Sequence, residues 1–271
     1  MKRALLALGL VAACGMTGPL PAEILAITGA RLETMGPAGT VTNGTVVIVD
    51  GRISAVGADI AIPGDARRID AHGRVVTPGL MNSLTRLGIV EVSSVEGTAD
   101  GEVKDDRITA AFDVADALNP RSTLIAVNRI DGLTRAVVAP SAGSSLIAGQ
   151  GAVIHLGVGA DLLVRERVAM FAFLGERGAA LTGGARSAAI LRLREVLQDA
   201  ADFAANRKAF DSGDRREYSL SRLDLEALVP VVRGELPLVL TADRASDIVA
   251  ALRLAKELKL CLLYTSPSPR D

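Results

Sequence analysis

Several residue types that carry chemistry are scarce in this sequence. Tryptophan is absent, aromatic residues make up only 3% of the 271 positions, and there are two histidines and two cysteines. So few rings supply no stacking platform for bases, and a net charge of −1 gives no electrostatic reason to bind nucleic acid or an anionic membrane surface. Residues 23–260 contain no cysteine, which excludes a disulfide framework and a thiol nucleophile there.

Aliphatic residues are what the chain has in abundance. Its composition is 49% hydrophobic, mostly Ala, Val, Leu and Ile. That proportion predicts a globular protein with a sizeable core rather than a disordered one, and aliphatic side chains of this kind suit layers of helices and strands.

The first 22 residues predict an exported protein. The basic pair Lys2-Arg3 precedes an apolar run, Ala4–Ala13, that is too short to cross a bilayer as a helix. Two processing routes remain open. The residues ending at Cys14 resemble a bacterial lipoprotein box, in which a lipidated Cys14 becomes the new N-terminus and the only membrane anchor. Alternatively, Ala22 suits ordinary signal peptidase, and Glu23–Ile27 then begins the mature chain as a strand. Both routes predict a periplasmic location.

Residues 261–271, Cys-Leu-Leu-Tyr-Thr-Ser-Pro-Ser-Pro-Arg-Asp, match the translation of a transposase-type sequencing adapter. The other interpretation is a flexible Pro/Ser tail. We expect the segment to be non-native and to lie outside the fold, with the natural chain continuing beyond Leu260.

Residues 23–78 are predicted to form a small β unit, since short β-rich runs alternate there with turns. Asp50-Gly51 between Gly44–Val49 and Arg52–Val56 is a strong hairpin signal.

From residue 79 the pattern changes to alternating helices and strands, which is typical of βαβ units and a parallel sheet. The predicted helices are Ala110–Leu118, Arg121–Ile130, Arg186–Phe210, Leu223–Val232 and Ala245–Leu258. The predicted strands include Ala136–Ala139, Ala152–Leu156 and Leu236–Leu240, with Ser141–Gly151 as a loop.

Two motifs, Ile48–Gly57 followed by Ile69–Met81, resemble in sequence and order the opening of amidohydrolases of the imidazolonepropionase-like group. Further along the chain, Leu236–Ile248 resembles a mid-barrel strand and the following helix of the same group. The resemblance implies an α/β fold class: a small N-terminal β-sandwich, the composite domain, over 23–78, and an incomplete metal-hydrolase-like (β/α)₈ TIM barrel over 79–260. It also implies hydrolysis of a non-peptide C–N bond in a cyclic amide or related small molecule, with a divalent metal such as zinc. The barrel segment is shorter than the roughly 250 residues of a complete barrel, so we expect this chain alone to aggregate or to stay partly molten.

The chain departs from that family at the metal ligands. Hydrolytic members follow the Pro-Gly-Leu turn with Asp and then His-x-His, where this chain has Asn82, Leu84 and Arg86, and a later His position holds Thr241. Leucine has no lone pair to donate, and a protonated guanidinium repels a cation. No metal ligand and no catalytic residue is therefore assigned. The rival function is that of a non-catalytic exported barrel protein with a binding or scaffold role.

The remaining candidates each have two interpretations. His72 in a turn is expected to be structural; His155 is either a buried structural residue or a barrel base or ligand. The segment 141–151 is either an anion cradle, a substrate loop or a tight structural loop, and Ser144 and Ser145 have no assignable base. A group of carboxylates is either a hard-cation site or a solvated loop: Glu91, Glu96, Asp100, Glu102, Asp105 and Asp106.

Overall fold

The computed structural model describes residues 23–265, and the chain divides into two compact units between Pro78 and Gly79. The predicted signal segment 1–22, including Cys14, lies outside the described residues, as do residues 266–271 of the predicted adapter-like tail. Among the described helices, none combines the length and the apolarity that a bilayer crossing requires.

The N-terminal unit is one five-stranded sheet. Its strands are β1 (Ile24–Glu33), β2 (Thr40–Val49), β3 (Arg52–Gly57), β4 (Arg67–Asp70) and β5 (Val75–Val76). β2 pairs antiparallel with β1 and β3, whereas β4 and β5 run parallel to β1. The predicted hairpin is confirmed, because Val49 pairs with Arg52 across Asp50 and Gly51, whose positive φ angles of 49° and 73° fit a tight two-residue turn. Ala30, Leu32, Val46 and Ala71 form its small core.

The C-terminal unit is built on a six-stranded sheet with the order β11-β10-β9-β8-β7-β6. The strands are β6 (Leu80–Thr85), β7 (Leu133–Val138), β8 (Ile147–His155), β9 (Leu163–Phe173), β10 (Leu238–Thr241) and β11 (Leu262–Thr265). Five of them run parallel to one another, and β8 is antiparallel to both β7 and β9.

Helices cover one face of this sheet. They are α1 (Thr123–Ile130), α2 (Gly175–Leu181), α3 (Arg186–Ala205), α4 (Arg207–Asp211), α5 (Arg222–Val232) and α6 (Ala245–Leu258). On α3 the buried residues Ala189, Leu193, Val196, Leu197 and Ala200 recur at helical spacing and pack with α5, α6, β9 and β10 into the largest core. Each fully buried leucine there contributes about 2 kcal/mol by leaving water.

The opposite face of the sheet carries a smaller apolar group. Val137, Ala139, Ala169, Phe171 and Val239 pack together there, while their strand neighbours Ala136, Val138, Met170 and Leu240 belong to the helix-covered cores. This alternation follows from the two-residue period of a strand. The smaller group lines the concave side of the curled sheet.

Several predictions about this unit were wrong. The sheet is mixed rather than parallel because β8 is inserted antiparallel, and Ile147–Gly151 is strand rather than loop. Ala110–Leu118 contains only a 3-10 turn, Val114–Ala117, instead of an α-helix. The predicted helix Arg186–Phe210 is interrupted at Asn206.

The expectation that residues 261–271 take no part in the fold was also wrong for their first part. Leu262–Thr265 forms β11, which pairs in parallel with β10. An apolar run has strand propensity, and the free edge of β10 offers unpaired backbone groups to it, so pairing needs no family-specific sequence.

Candidate functional site

A cleft of about 470 Å³ opens at the carboxyl ends of β6, β7, β9 and β10, and we call it the mouth cleft. Its walls are mainly apolar, with Leu84, Phe171, Phe173 and Val239 among them. The chain that follows β7 supplies Ala139, Pro140, Ser141 and Ala142, and Thr85, Arg86 and Thr241 complete the lining. Carboxyl ends of parallel strands are where α/β barrels bind their ligands, because the loops that follow the strands converge there.

The mouth cleft brings together three positions that the sequence singled out, Leu84, Arg86 and Thr241. Leu84 and Arg86 are two residues apart, so a strand presents them on the same side. Asn82, at the family's Asp position, does not line the cleft; its side-chain oxygen accepts a hydrogen bond of 3.1 Å from the backbone N–H of Leu84.

The residues of the mouth cleft do not fit a divalent metal. Among the described residues that line it there is no imidazole and no carboxylate, and Arg86 is the only charged one. Within residues 23–265, no three His, Cys, Asp or Glu side chains come together as a ligand set. A structural or catalytic zinc site needs at least three such ligands, so no hydrolytic step through a metal follows from these residues.

The two histidines occupy local structural positions. His72 lies in the N-terminal unit at a φ of 49°, with its Nδ1 3.3 Å from Asp70 Oδ2 and its backbone N–H bonded to Asp70 Oδ1 at 2.8 Å. His155 ends β8, where its Nδ1 accepts a hydrogen bond of 3.0 Å from the Gly157 N–H. Since β8 is antiparallel, His155 pairs with Arg135 near the start of β7, at the opposite end of the sheet from the mouth cleft.

The carboxylates after β6 do not converge either. Asp105 binds Arg107 through two oxygens at 2.6 and 3.0 Å, and these hydrogen bonds lower the pKa of Asp105 to about 2. Glu96 pairs with Lys104, whose hydrogen bond lowers the pKa of the Glu96 carboxyl. Both pairs are exposed, which is typical of a solvated loop.

The Gly/Ser segment is held against the loop after β6 through its backbone. Ser141 N–H donates to Gly101 O at 2.7 Å, and the Ser144 hydroxyl donates to Lys104 O at 2.7 Å. A Cβ on Gly143 would lie 1.9 Å from the carbonyl oxygen of Val103, so only glycine permits this approach. Ser144 is therefore a packing contact, and no base stands beside it among the described residues.

Sequence reasoning missed one strand and one buried carboxylate of this unit. Phe171 and Phe173 come from β9, which was not predicted, although the continuous apolar run Val168–Phe173 is consistent with a buried strand. Asp224, 1% exposed, accepts hydrogen bonds from the backbone N–H groups of Thr109 and Ala111 at 3.1 and 2.8 Å and so fixes the loop after β6. No local pattern identifies a partner so distant in sequence.

Comparison with known proteins shows a likeness in fold. The crystal structure of an amidohydrolase from Thermotoga maritima matches with a TM-score of 0.75 and 21% identity over 89% of this chain. A second amidohydrolase structure matches with a TM-score of only 0.38 over 86% of this chain, at 16% identity, which is too low to bear on the fold.

The likeness in sequence is local. An imidazolonepropionase from Mycolicibacterium smegmatis is 44% identical over 52 residues, which is 19% of this chain. The chain spans 63% of the length of the Thermotoga structure and 13% of that imidazolonepropionase. No family model matches the chain. The predicted fold class, a small β domain followed by part of a TIM barrel, is confirmed. The chain is similar in fold to one amidohydrolase structure and, over 52 residues, similar in sequence to an imidazolonepropionase.

Proposed function

We propose that the protein is a hydrolase of the amidohydrolase type that takes a small molecule, a cyclic amide or a related compound, in the mouth cleft and acts on a C–N bond other than a peptide bond. The observation that carries this proposal is the position of the cleft at the carboxyl ends of β6, β7, β9 and β10. Its volume of about 470 Å³ suits a small organic molecule rather than a polymer. The likeness to amidohydrolases in fold and local sequence supports the same reaction class.

The described residues are assigned binding and orientation, and no bond-breaking step. Phe171, Phe173 and Val239 would exclude water from one side of a bound ring, while Ser141 and Thr241 bring hydroxyl groups to the rim. The predicted export signal extends the proposal to a periplasmic protein, free or anchored at Cys14.

One observation favours a second candidate, a non-catalytic exported barrel that binds a small molecule. Leu84 and Arg86 both lie in the mouth cleft itself, so the positions that hold imidazoles in hydrolytic relatives are inside the ligand site and carry no metal-binding atom. A protein that kept the cleft and lost this chemistry would bind without turnover.

Turnover and binding can be separated on the full chain. Purified protein is incubated with hydantoins, dihydropyrimidinones and lactams, with and without added zinc, and ring-opened products are measured by mass spectrometry while binding is measured by calorimetry. Ring opening at the cleft supports the hydrolase, and binding without product supports the second candidate. A bound metal would be seen by elemental analysis of the same sample.

A matched pair of variants places either activity at the cleft. Leu84→Trp fills the mouth cleft at a side chain that is 49% exposed, whereas Leu80→Trp makes the same change on the same strand at a position outside the lining. We expect Leu84→Trp to abolish binding or turnover and Leu80→Trp to retain it. Equal effects of the two variants would show that the mouth cleft is not the site.

A further inference from the structure

We propose that the mouth cleft selects an anionic group, bound by Arg86. The inference rests on the mouth cleft being the ligand site, which both candidate functions share. It gives the ligand a chemical class, a small carboxylate with an apolar or aromatic body.

The charge of the mouth cleft favours an anionic ligand. Arg86 is the only charged residue that lines it, and within residues 23–265 its guanidinium has neither an ion pair nor a side-chain hydrogen bond. A guanidinium stays protonated and offers five donors in a planar fork that matches a carboxylate. An open cleft with one unpaired cation and no carboxylate favours anions over neutral molecules of the same shape.

The backbone at Gly101 fixes the position of the Arg86 side chain. Its Cδ lies 3.8 Å from where a Cβ on Gly101 would stand, so the aliphatic stem runs along the backbone at Gly101. The carbonyl oxygen of Gly101 accepts the hydrogen bond from Ser141, a residue of the cleft lining. Because this hydrogen bond fixes the backbone beside the aliphatic part of the Arg86 side chain, it holds Arg86 at the edge of the mouth cleft.

Glu91 is the carboxylate that could compete for Arg86. The two residues line an adjoining cavity of about 240 Å³, and among the ion pairs of residues 23–265 there is none between them. One oxygen of Glu91 accepts a weak bond of 3.3 Å from the Thr123 hydroxyl, and the other is buried without a hydrogen-bond partner. The negative charge of Glu91 thus weakens the attraction of the mouth cleft for an anion, but Glu91 does not form an ion pair that would neutralise Arg86.

The apolar walls define the rest of the ligand. Phe171 is 5% exposed and contributes its ring to the concave face, and Phe173, Val239 and Leu84 extend the apolar surface toward the opening. Aromatic side chains bind flat apolar rings through offset or edge contacts. An aromatic carboxylate therefore meets both features of the cleft.

The test uses matched pairs of carboxylates and their primary amides, benzoate with benzamide and cyclohexanecarboxylate with its amide, titrated into the full chain by calorimetry. The members of a pair share their shape and differ in charge. We expect the carboxylate to bind about tenfold or more tightly than the amide, since hydrogen bonds to charged groups are the stronger ones. Added salt should reduce this preference.

Variants assign the preference to Arg86. Arg86→Gln should weaken carboxylate binding about tenfold and leave amide binding unchanged, while Arg86→Lys should retain part of the preference. Glu91→Gln should strengthen carboxylate binding. Arg192→Gln is the matched control, because Arg192 lines a different cavity, and circular dichroism verifies that each variant folds.

Two outcomes separate the failures. Equal binding of both members of each pair, unchanged in Arg86→Gln, would overturn the anion inference and leave the mouth cleft as a ligand site. If no member of either pair binds and none competes with a ligand found in the hydrolase assay, the cleft itself is misassigned, and the proposed function fails with the inference.

Discussion

Replacing Asp224 by alanine should loosen the segment that follows β6. The carboxylate of Asp224 is buried at the start of α5 and accepts three hydrogen bonds, from Thr109 N–H at 3.1 Å, Ala111 N–H at 2.8 Å and the Ser221 hydroxyl at 2.6 Å. It therefore ties the segment after β6 to a helix more than a hundred residues further along the chain.

The size of the effect follows from the groups left without a partner. Alanine strands two backbone N–H groups in a buried site, and each unsatisfied buried donor costs about 1–3 kcal/mol, so we expect a loss of about 4 kcal/mol in the free energy of unfolding. Asp224→Asn keeps an oxygen acceptor for both N–H groups and loses only the charge, for a cost of about 1–2 kcal/mol.

Urea unfolding followed by far-ultraviolet circular dichroism measures these differences, and hydrogen exchange by mass spectrometry locates them. Exchange should increase first in residues 105–113. Asp105→Ala is the control, since it makes the same substitution in the segment that Asp224 binds, at a solvent-exposed ion pair. The reasoning is refuted if Asp224→Ala unfolds at the same urea concentration as Asp105→Ala, or if exchange in residues 105–113 stays unchanged in Asp224→Ala.

Three further predictions concern other parts of the C-terminal unit. Gly175→Ala should lower the free energy of unfolding by about 2 kcal/mol, because Gly175 has a φ of 62° and a Cβ there would lie 2.1 Å from the carboxylate of Asp243. Thermal melts measure the loss, and Gly183→Ala is the control: Gly183 has a similar φ but open space around it, so the difference between the two variants is the cost of the steric clash. Burial alone would raise the pKa of Asp199, but hydrogen bonds from Ser219 and the ion pair with Arg216 outweigh it and leave that pKa lowered. The ionised Asp199 therefore stabilises the fold at pH values above its pKa in the unfolded chain, about 4, and this stabilisation is lost as the pH falls through its lower pKa in the folded protein. In Asp199→Asn the free energy of unfolding should fall less steeply as the pH is lowered, and the same steepness in both proteins would contradict this. Leu80 is 60% exposed on β6, which pairs only with β7 among the described strands. Leu80→Lys should therefore reduce the self-association of the protein measured by light scattering. If the variant associates as much as the unchanged protein, the edge of β6 is not the surface through which the molecules associate.

Local signals predicted those elements whose conformation is decided within a few residues. The Asp50-Gly51 turn forces its hairpin because both residues adopt positive φ. Helix α6 begins and ends at the predicted residues, Ala245 and Leu258, since its apolar face and its left-handed terminal residue Lys259 are local features.

The errors arose where distant residues decide the conformation. Residues 110–118 have helical spacing, yet Asp224 captures the Ala111 N–H and Asp113 accepts from Ala115 N–H, so the backbone follows a short 3-10 turn. The direction of β8 depends on its pairing with β7 and β9. Gly149, at a φ of 124°, has to be glycine because a Cβ there would lie 2.4 Å from the carbonyl oxygen of Phe112, a residue far away in the sequence.

The sequence by itself determined which side chains stand at the positions where the amidohydrolase resemblance led us to look for metal ligands, because the identity of Leu84, Arg86 and Thr241 is fixed covalently. Only the tertiary structure decided that these residues share one cleft, that His155 lies at the other end of the sheet, and that Arg86 has no ion-pair partner among residues 23–265. Strand order and direction set those distances, and both depend on pairing between segments far apart in the chain, which no local pattern encodes.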